Sequence, residues 1–299
     1  MNQINRGYAA LTLSLAVVLL HTDSIQSQAS DQIKTNSDTV MRIADGYGVG
    51  VREYLTNQTQ ILDSRLDAND AELLEKALSL QGEGLNNENY ESNVCGVSTQ
   101  YIDDNGEVVV NLNSFGSCVF ITPNLVLTNN HVVVKKSMAD LYEKQQVVST
   151  KDATYEDPKI VALIPAYDLA LLKTSQANPN AAVLNVRDPT TDDYYLNMVV
   201  ASFKGNPTNE LNLHIMRTVE IKTGYNMNVH GQNGIPSLVV TPSLENGYSG
   251  SPLTSDIDES IIGLVTYRTD KGTHIPPVIG SLLQLVLDCY NDTQKNKDQ

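Results

Sequence analysis

From about residue 92 the sequence breaks into short β-branched and apolar runs separated by turn residues, and no other feature limits the fold as much. The runs are Glu107–Asn111, Cys118–Ile121, Leu125–Thr128, Lys159–Ile164, Asp168–Lys173, Asn197–Ser202, Leu213–Thr223, Ser237–Thr241 and Ile261–Tyr267. Asp104-Asn105-Gly106 is a hairpin-turn signal. Many short strands joined by turns predict a barrel or sandwich rather than a βαβ sheet. The last element differs. Pro276-Pro277 opens a run in which Ile279, Leu282, Leu283 and Val286 share one helical face, predicting a C-terminal helix packed on the strands.

The chain upstream has another character. Arg6 precedes an apolar run from Ala9 to Leu20, with Ser27 and Ala29 at alternate positions beyond it. This is the three-part pattern of a cleavable export signal. The run is shorter than the roughly 20 residues a membrane-spanning helix needs. Residues 1–29 are therefore expected to be a signal peptide, with the mature protein periplasmic or extracellular and without a stable membrane anchor. Residues 30–91 are polar, and within them the stretch from Asp67 looks like a helix capped at Asp70, which precedes Leu73, Leu74, Ala77 and Leu78 at helical spacing. This stretch is expected to be a pro-segment or an accessory helical extension. The β-rich domain is placed at 92–290 and a polar tail at 291–299.

Composition narrows the function classes. An apolar fraction of 41% supports a sizeable core, and the net charge of −15 disfavours nucleic acid, whose phosphates need clustered Lys and Arg. Three cysteines (Cys95, Cys118 and Cys289) cannot all pair within the chain, and none has zinc-site spacing. Neither a metal nor another cofactor is expected. Cys118 reads as an inert buried thiol, the alternative being a disulfide to Cys95 or Cys289.

Three local motifs carry chemistry. In the first, the strand Leu125–Thr128 runs almost directly into His131. An imidazole at the end of a rigid strand has the fixed ring position a general base requires, although a structural His would read the same way. In the second, Asp168 opens the apolar segment Leu169-Ala170-Leu171-Leu172, where a buried carboxylate needs a partner such as an imidazole N–H. In the third, Gly247-Tyr248-Ser249-Gly250-Ser251-Pro252-Leu253 flanks a serine with glycines. Gly247 can adopt backbone angles closed to other residues, turning the N–H groups of Gly247 and Ser249 towards one point as an oxyanion hole.

Taken together, Thr128-Asn129-Asn130-His131-Val132-Val133, Asp168-Leu169-Ala170-Leu171-Leu172-Lys173 and Gly247-Tyr248-Ser249-Gly250-Ser251-Pro252-Leu253 resemble the signature blocks of chymotrypsin/trypsin-like serine peptidases. The likeness is to their bacterial branch, the DegP-type proteases and the glutamyl endopeptidases. The order His, Asp, Ser is one of the known chain orders of this triad. The resemblance covers roughly residues 92–290. It implies an all-β fold of two antiparallel six-stranded barrels with the active site between them. It also implies a secreted serine endopeptidase acting on proteins or peptides, in which His131, Asp168 and Ser249 are catalytic. Tyr248 departs from the Asp or Asn usual before the serine, and Ser251 from the commoner Gly.

By the same resemblance the substrate pocket is formed by Ser243 and Leu244 and by Val265, Thr266 and Tyr267. Ser243 stands where trypsin-like cleavage would need a carboxylate, and Val265 where glutamyl endopeptidases place a His. An uncharged, apolar residue is therefore expected on the acyl side of the cut, with Arg268 as the feature that could still attract an acidic one. Two rivals were weighed. An α/β-hydrolase needs Gly-x-Ser-x-Gly with its Asp and His downstream, but position 251 is Ser, Pro252 follows, and the only later His, His274, lies too close behind. A catalytically inactive trypsin-fold binding protein is the other, since a fold does not guarantee activity.

Overall fold

The computed structural model describes residues 60–61, 66–103, 105–107, 114–134, 143–190, 193, 199–204, 212–217, 220–229, 232–241, 247–269, 272–275 and 279–297. Of residues 60–61, 143–145, 166, 199–241, 267–275 and 297 it describes the backbone alone. The export signal, the run Glu107–Asn111 beyond its first residue, and the pocket positions Ser243 and Leu244 lie outside the described residues.

The protein is mostly antiparallel β-structure with a C-terminal helix. Eight strands form the first, curled sheet: β1 Gln60–Ile61, β2 Val94–Ile102, β3 Ser114–Phe120, β4 Leu125–Asn129, β5 Glu143–Ser149, β6 Thr154–Glu156, β7 Lys159–Ile164 and β8 Leu169–Lys173. Their order is β1-β7-β8-β4-β3-β2-β5-β6. Eight further strands make two four-stranded sheets. One contains β9 Val199–Lys204, β10 Asn212–Arg217, β13 Pro252–Thr254 and β14 Ile261–Leu264. The other contains β11 Glu220–Val229, β12 Gln232–Thr241, β15 Tyr267–Thr269 and β16 Gly272–Ile275.

Alternation explains why the first sheet curls. Side chains on a strand point to opposite faces in turn. Leu125, Leu127, Leu169, Leu171, Val119 and Ile121 join one buried cluster. Their neighbours Val126, Ala170, Leu172, Cys118 and Phe120 join another, with Val148 and Tyr155 from the far edge. Strands apolar on both faces leave neither face for solvent. Cys95 and Cys118 face each other across β2 and β3 with Cα atoms 4.8 Å apart and form a disulfide. The reading of Cys118 as an inert thiol is thereby corrected: direct cross-strand pairing put its partner within reach, a register that spacing alone does not reveal. Cys289 is the cysteine outside the bridge.

The face that carries the first cluster is covered by helices from both ends of the described chain. Helix α1, Ala68–Leu78, is capped one turn earlier than its sequence indicates. Asp67 accepts from the Asp70 N–H at 2.9 Å while Asp70 reciprocates, forming a capping box. Asp70 is buried and paired with Lys173 of β8, which also meets Asp67 at 2.8 Å. Leu74, Leu85 and Tyr90 enter the same cluster as Leu127 and Leu171. After the short helix α2, Tyr90–Asn93, the Asn93 amide donates to the carbonyls of Phe120 and Ala182 at 2.8 and 2.9 Å. Residues 66–93 and the strands thus share one core.

Helix α4, numbered after a one-turn α3 at Asn130–Val133, spans Ile279–Lys297 and adds Leu282, Leu283 and Val286 to that cluster. It runs to Lys297, into the stretch expected to be a polar tail. Its first turn is capped from outside by Asp188, which accepts from the Gly280 and Ser281 N–H groups and from Ser281 Oγ. Burial pushes the Asp188 carboxyl above the usual range despite these bonds. No described helix is long and apolar enough to cross a membrane.

Arg187 ties this region to the second half, binding Asp193 through both terminal nitrogens (2.6 and 2.9 Å) and Asp258 through Nε at 2.8 Å. Burial alone would raise the Asp193 pKa, but the Arg187, Ser255 and Thr190 hydrogen bonds and the guanidinium charge outweigh it and bring it to about 2. A carboxyl depressed in the folded state stabilises above its unfolded pKa and loses that contribution as pH falls through its folded one. Stability supplied by this pair is therefore expected to be complete above about pH 4 and to disappear towards about pH 2. Urea unfolding of the wild type and of Asp193→Asn at pH 6 and pH 2.5 checks this. Equal pH slopes for the two proteins would show that Asp193 is not the titrating group.

Candidate active site

His131 lies in α3, immediately after β4. Asp168 immediately precedes β8, which pairs with β4 so that Asn129 stands opposite Leu169. The ladder therefore brings the two residues together although 37 positions separate them. His131 Nδ1 is 2.5 Å from Asp168 Oδ2, and the His131 backbone N–H donates to Oδ1 at 2.8 Å. Both carboxylate oxygens are thus held by one residue. An ionised carboxylate can only accept, so Nδ1 carries the proton of this hydrogen bond, and the neutral ring in that tautomer has its lone pair on Nε2. The Asp168 side chain is 2% exposed and that of His131 34%, which buries the carboxylate and leaves the ring accessible.

Asp168 adopts a left-handed backbone, φ 54° and ψ 39°, at the end of the one-turn 3-10 helix Pro165–Tyr167. Such a conformation costs a non-glycine residue about 1–3 kcal/mol. It is held by two donors to the Asp168 carbonyl, the Asn130 N–H and Asn129 Nδ2, each at 3.0 Å. Asn129 also reaches Thr266 Oγ1 at 3.4 Å.

The serine motif comes from the second half. Gly247 has φ +96° and Gly250 φ +87°, conformations that side chains resist. No described atom lies within 4 Å of where a Cβ on Gly247 would stand. At Gly250 a Cβ would collide with the Ser117 carbonyl and stand 2.7 Å from Thr128 Oγ1. The Ser117 N–H donates to the Ser249 carbonyl at 2.7 Å. The turn carrying Ser249 is thus pressed against β3 and against the end of β4 that leads to His131. Its other side is held by the strand that follows, where the Gly250 N–H donates to the Val265 carbonyl (2.8 Å) and the Val265 N–H to the Ser251 carbonyl (2.9 Å).

Of the expected pocket residues, Val265 and Thr266 are both 4% exposed. The Thr266 hydroxyl donates to the Leu264 carbonyl at 3.1 Å and lies beside Asn129, in a small cavity below Asp168 also lined by Tyr167 and Leu282. Tyr267 opens β15. Ser117, Asn129 and Asn130 were not singled out from sequence. Asn129 and Asn130 stand inside the first block and Ser117 lies before it, but the Ser117 hydroxyl and the Asn129 amide donate to backbone carbonyls, which no side-chain pattern reveals. Among the described residues, no group of three or more His, Cys, Asp or Glu is placed to hold a metal ion.

A sheet that holds His131 on a buried Asp168, with a glycine-flanked serine turn from a second set of strands hydrogen-bonded to its β3, defines a class of fold and site. The family model described as the trypsin-like peptidase domain matches residues 116–264, and these residues belong to that family. No curated protein matches the chain. Among solved structures it is similar to the active form of the Rv3671c protease from M. tuberculosis, with 19% identity, 71% of this chain and 86% of that chain covered, and a TM-score of 0.48. It is also similar to Deg5 (20% identity, 74% and 94% covered, TM-score 0.45). A third is a catalytically inactive tobacco etch virus protease complexed with substrate (14% identity, 67% and 84% covered, TM-score 0.45).

Proposed function

We propose that the protein is an exported serine endopeptidase in which Ser249 is the nucleophile, His131 the general base and Asp168 the group that orients it. The observation carrying this reading is the grip of His131 on both oxygens of a buried carboxylate, with the ring left accessible. His131 Nε2 takes the Ser249 proton as the hydroxyl attacks the substrate carbonyl, and Asp168 stabilises the imidazolium. The N–H groups of Gly247 and Ser249 receive the oxyanion, a role supported by the left-handed backbone of Gly247. His131 then protonates the leaving amine, and water, activated in the same way, releases the acyl group. In this reading the first sheet and the second set of strands are the two barrels of the fold. Residues 66–93 are a retained accessory segment, since they are built into the core.

A fluorophosphonate probe tests the proposal, because it bonds covalently to an activated serine. Labelling at Ser249 is expected, and an unlabelled, folded protein would favour the inactive binding-protein reading. The expected apolar preference on the acyl side is checked by sequencing cleavage sites in a peptide library. Selectivity should be loose, since methylenes in an apolar pocket discriminate by only about 1–3 kcal/mol. Strict cutting after Glu, or after Lys and Arg, would contradict it.

A further inference from the structure

We propose that Ser117 is a positioning residue of the nucleophile turn, its hydroxyl fixing the peptide that follows Gly247 so that the oxyanion donors are aligned before substrate arrives. The inference rests on Ser249 being the nucleophile. Ser117 lies on β3, in the opposite half of the protein from the turn, and is fully buried. Its Oγ donates to the Gly247 carbonyl at 2.8 Å, and its N–H to the Ser249 carbonyl at 2.7 Å. One residue therefore holds the turn on both sides of Tyr248.

The neighbours of Ser117 give this grip its precision. Gly116 leaves room for the approach, since a Cβ there would stand 2.9 Å from the Ser249 carbonyl. Thr128 Oγ1 donates to the Ser117 carbonyl at 2.8 Å, tying the grip to the strand that ends at His131. The Cys95–Cys118 disulfide follows directly in β3. The backbone bond from Ser117 would survive in any residue at this position. The bond to Gly247 needs the hydroxyl.

A glycine at φ +96° carries no side chain to limit its rotation, and rotating it would swing the Gly247 N–H away from the point shared with the Ser249 N–H. The Ser117 hydroxyl restrains that rotation from outside the turn. Such a residue acts on the rate of the chemical step rather than on substrate binding.

The test compares the wild type, Ser117→Ala and Ser249→Ala, measuring kcat and KM on an unfolded protein substrate and the rate of fluorophosphonate labelling. Measurements are made well below the unfolding temperature of each protein. Ser117→Ala is expected to lower kcat about ten- to a hundredfold with KM unchanged, and to slow labelling by a similar factor. If Ser117→Ala does not fold, Ser117→Gly, which removes the Cβ together with the hydroxyl, is read in the same way. A kcat within about twofold of the wild type, or a loss that appears in KM alone, overturns the proposal, as does failure of both variants to fold. A wild type that neither hydrolyses nor labels refutes the peptidase reading itself, whereas an active wild type with an equally active Ser117→Ala refutes only the role of Ser117.

Discussion

Ser249→Ala is expected to abolish hydrolysis while leaving the protein folded. Loss of a triad nucleophile costs about 10⁶-fold in kcat in enzymes of this chemistry, with a remnant of roughly 10³-fold over water from the oxyanion donors and binding. Folding should be unaffected because the contacts that seat the turn, from the Ser117 N–H to the Ser249 carbonyl and from the Gly250 N–H to the Val265 carbonyl, are made by backbone atoms of the turn. Ser251→Ala is the matched control. Its Oγ is buried and has no hydrogen-bond partner among the described residues, so its removal should change turnover little. Turnover of an unfolded protein substrate, together with thermal unfolding of all three proteins, decides the matter. Near-normal activity in Ser249→Ala, with loss in Ser251→Ala, would move the nucleophile to Ser251.

Leu74→Ala is expected to destabilise the whole peptidase domain by about 2–5 kcal/mol, the cost of emptying a filled core site. Leu74 is fully buried in the cluster that holds Leu127 and Leu171, on the strands beside His131 and Asp168. A detachable pro-segment would give another result: its mutation would leave the unfolding of the remainder unchanged. Urea unfolding monitored by circular dichroism separates the two. A midpoint identical to that of the wild type would show that residues 66–93 are not part of the folding unit.

The residues of the candidate site were legible in the sequence because they sit in short, contiguous motifs. His131 and Asp168 each adjoin an apolar strand, and the glycines of the serine motif announced the left-handed turn found there. Less legible were strands of mixed composition. In β5 polar side chains run through Glu143, Lys144, Gln145 and Gln146, and its place between β2 and β6 comes from long-range pairing. Similarly, Leu213–Thr223 reads as one run, yet its parts belong to different sheets, β10 and β11. At α1 the sequence showed the helix but placed its cap at Asp70. The acid at that position is the reciprocal member of the capping box and the buried partner of Lys173, a role set by tertiary contact. The structural parts played by Ser117 and Asn129 were hidden because both bind carbonyl groups that the fold alone brings near.

The double hold of His131 on Asp168 bears on how such an enzyme could be switched. His131 and Asp168 are held together where two neighbouring strands of a single sheet end and begin, through a side-chain and a main-chain bond. Silencing that half would mean tearing adjacent strands of the core apart. The serine turn is different: it spans the junction between the two halves and pivots on two glycines in left-handed conformations. In the proposed peptidase, a latent form would therefore differ at the serine turn and keep the His131–Asp168 pair in place.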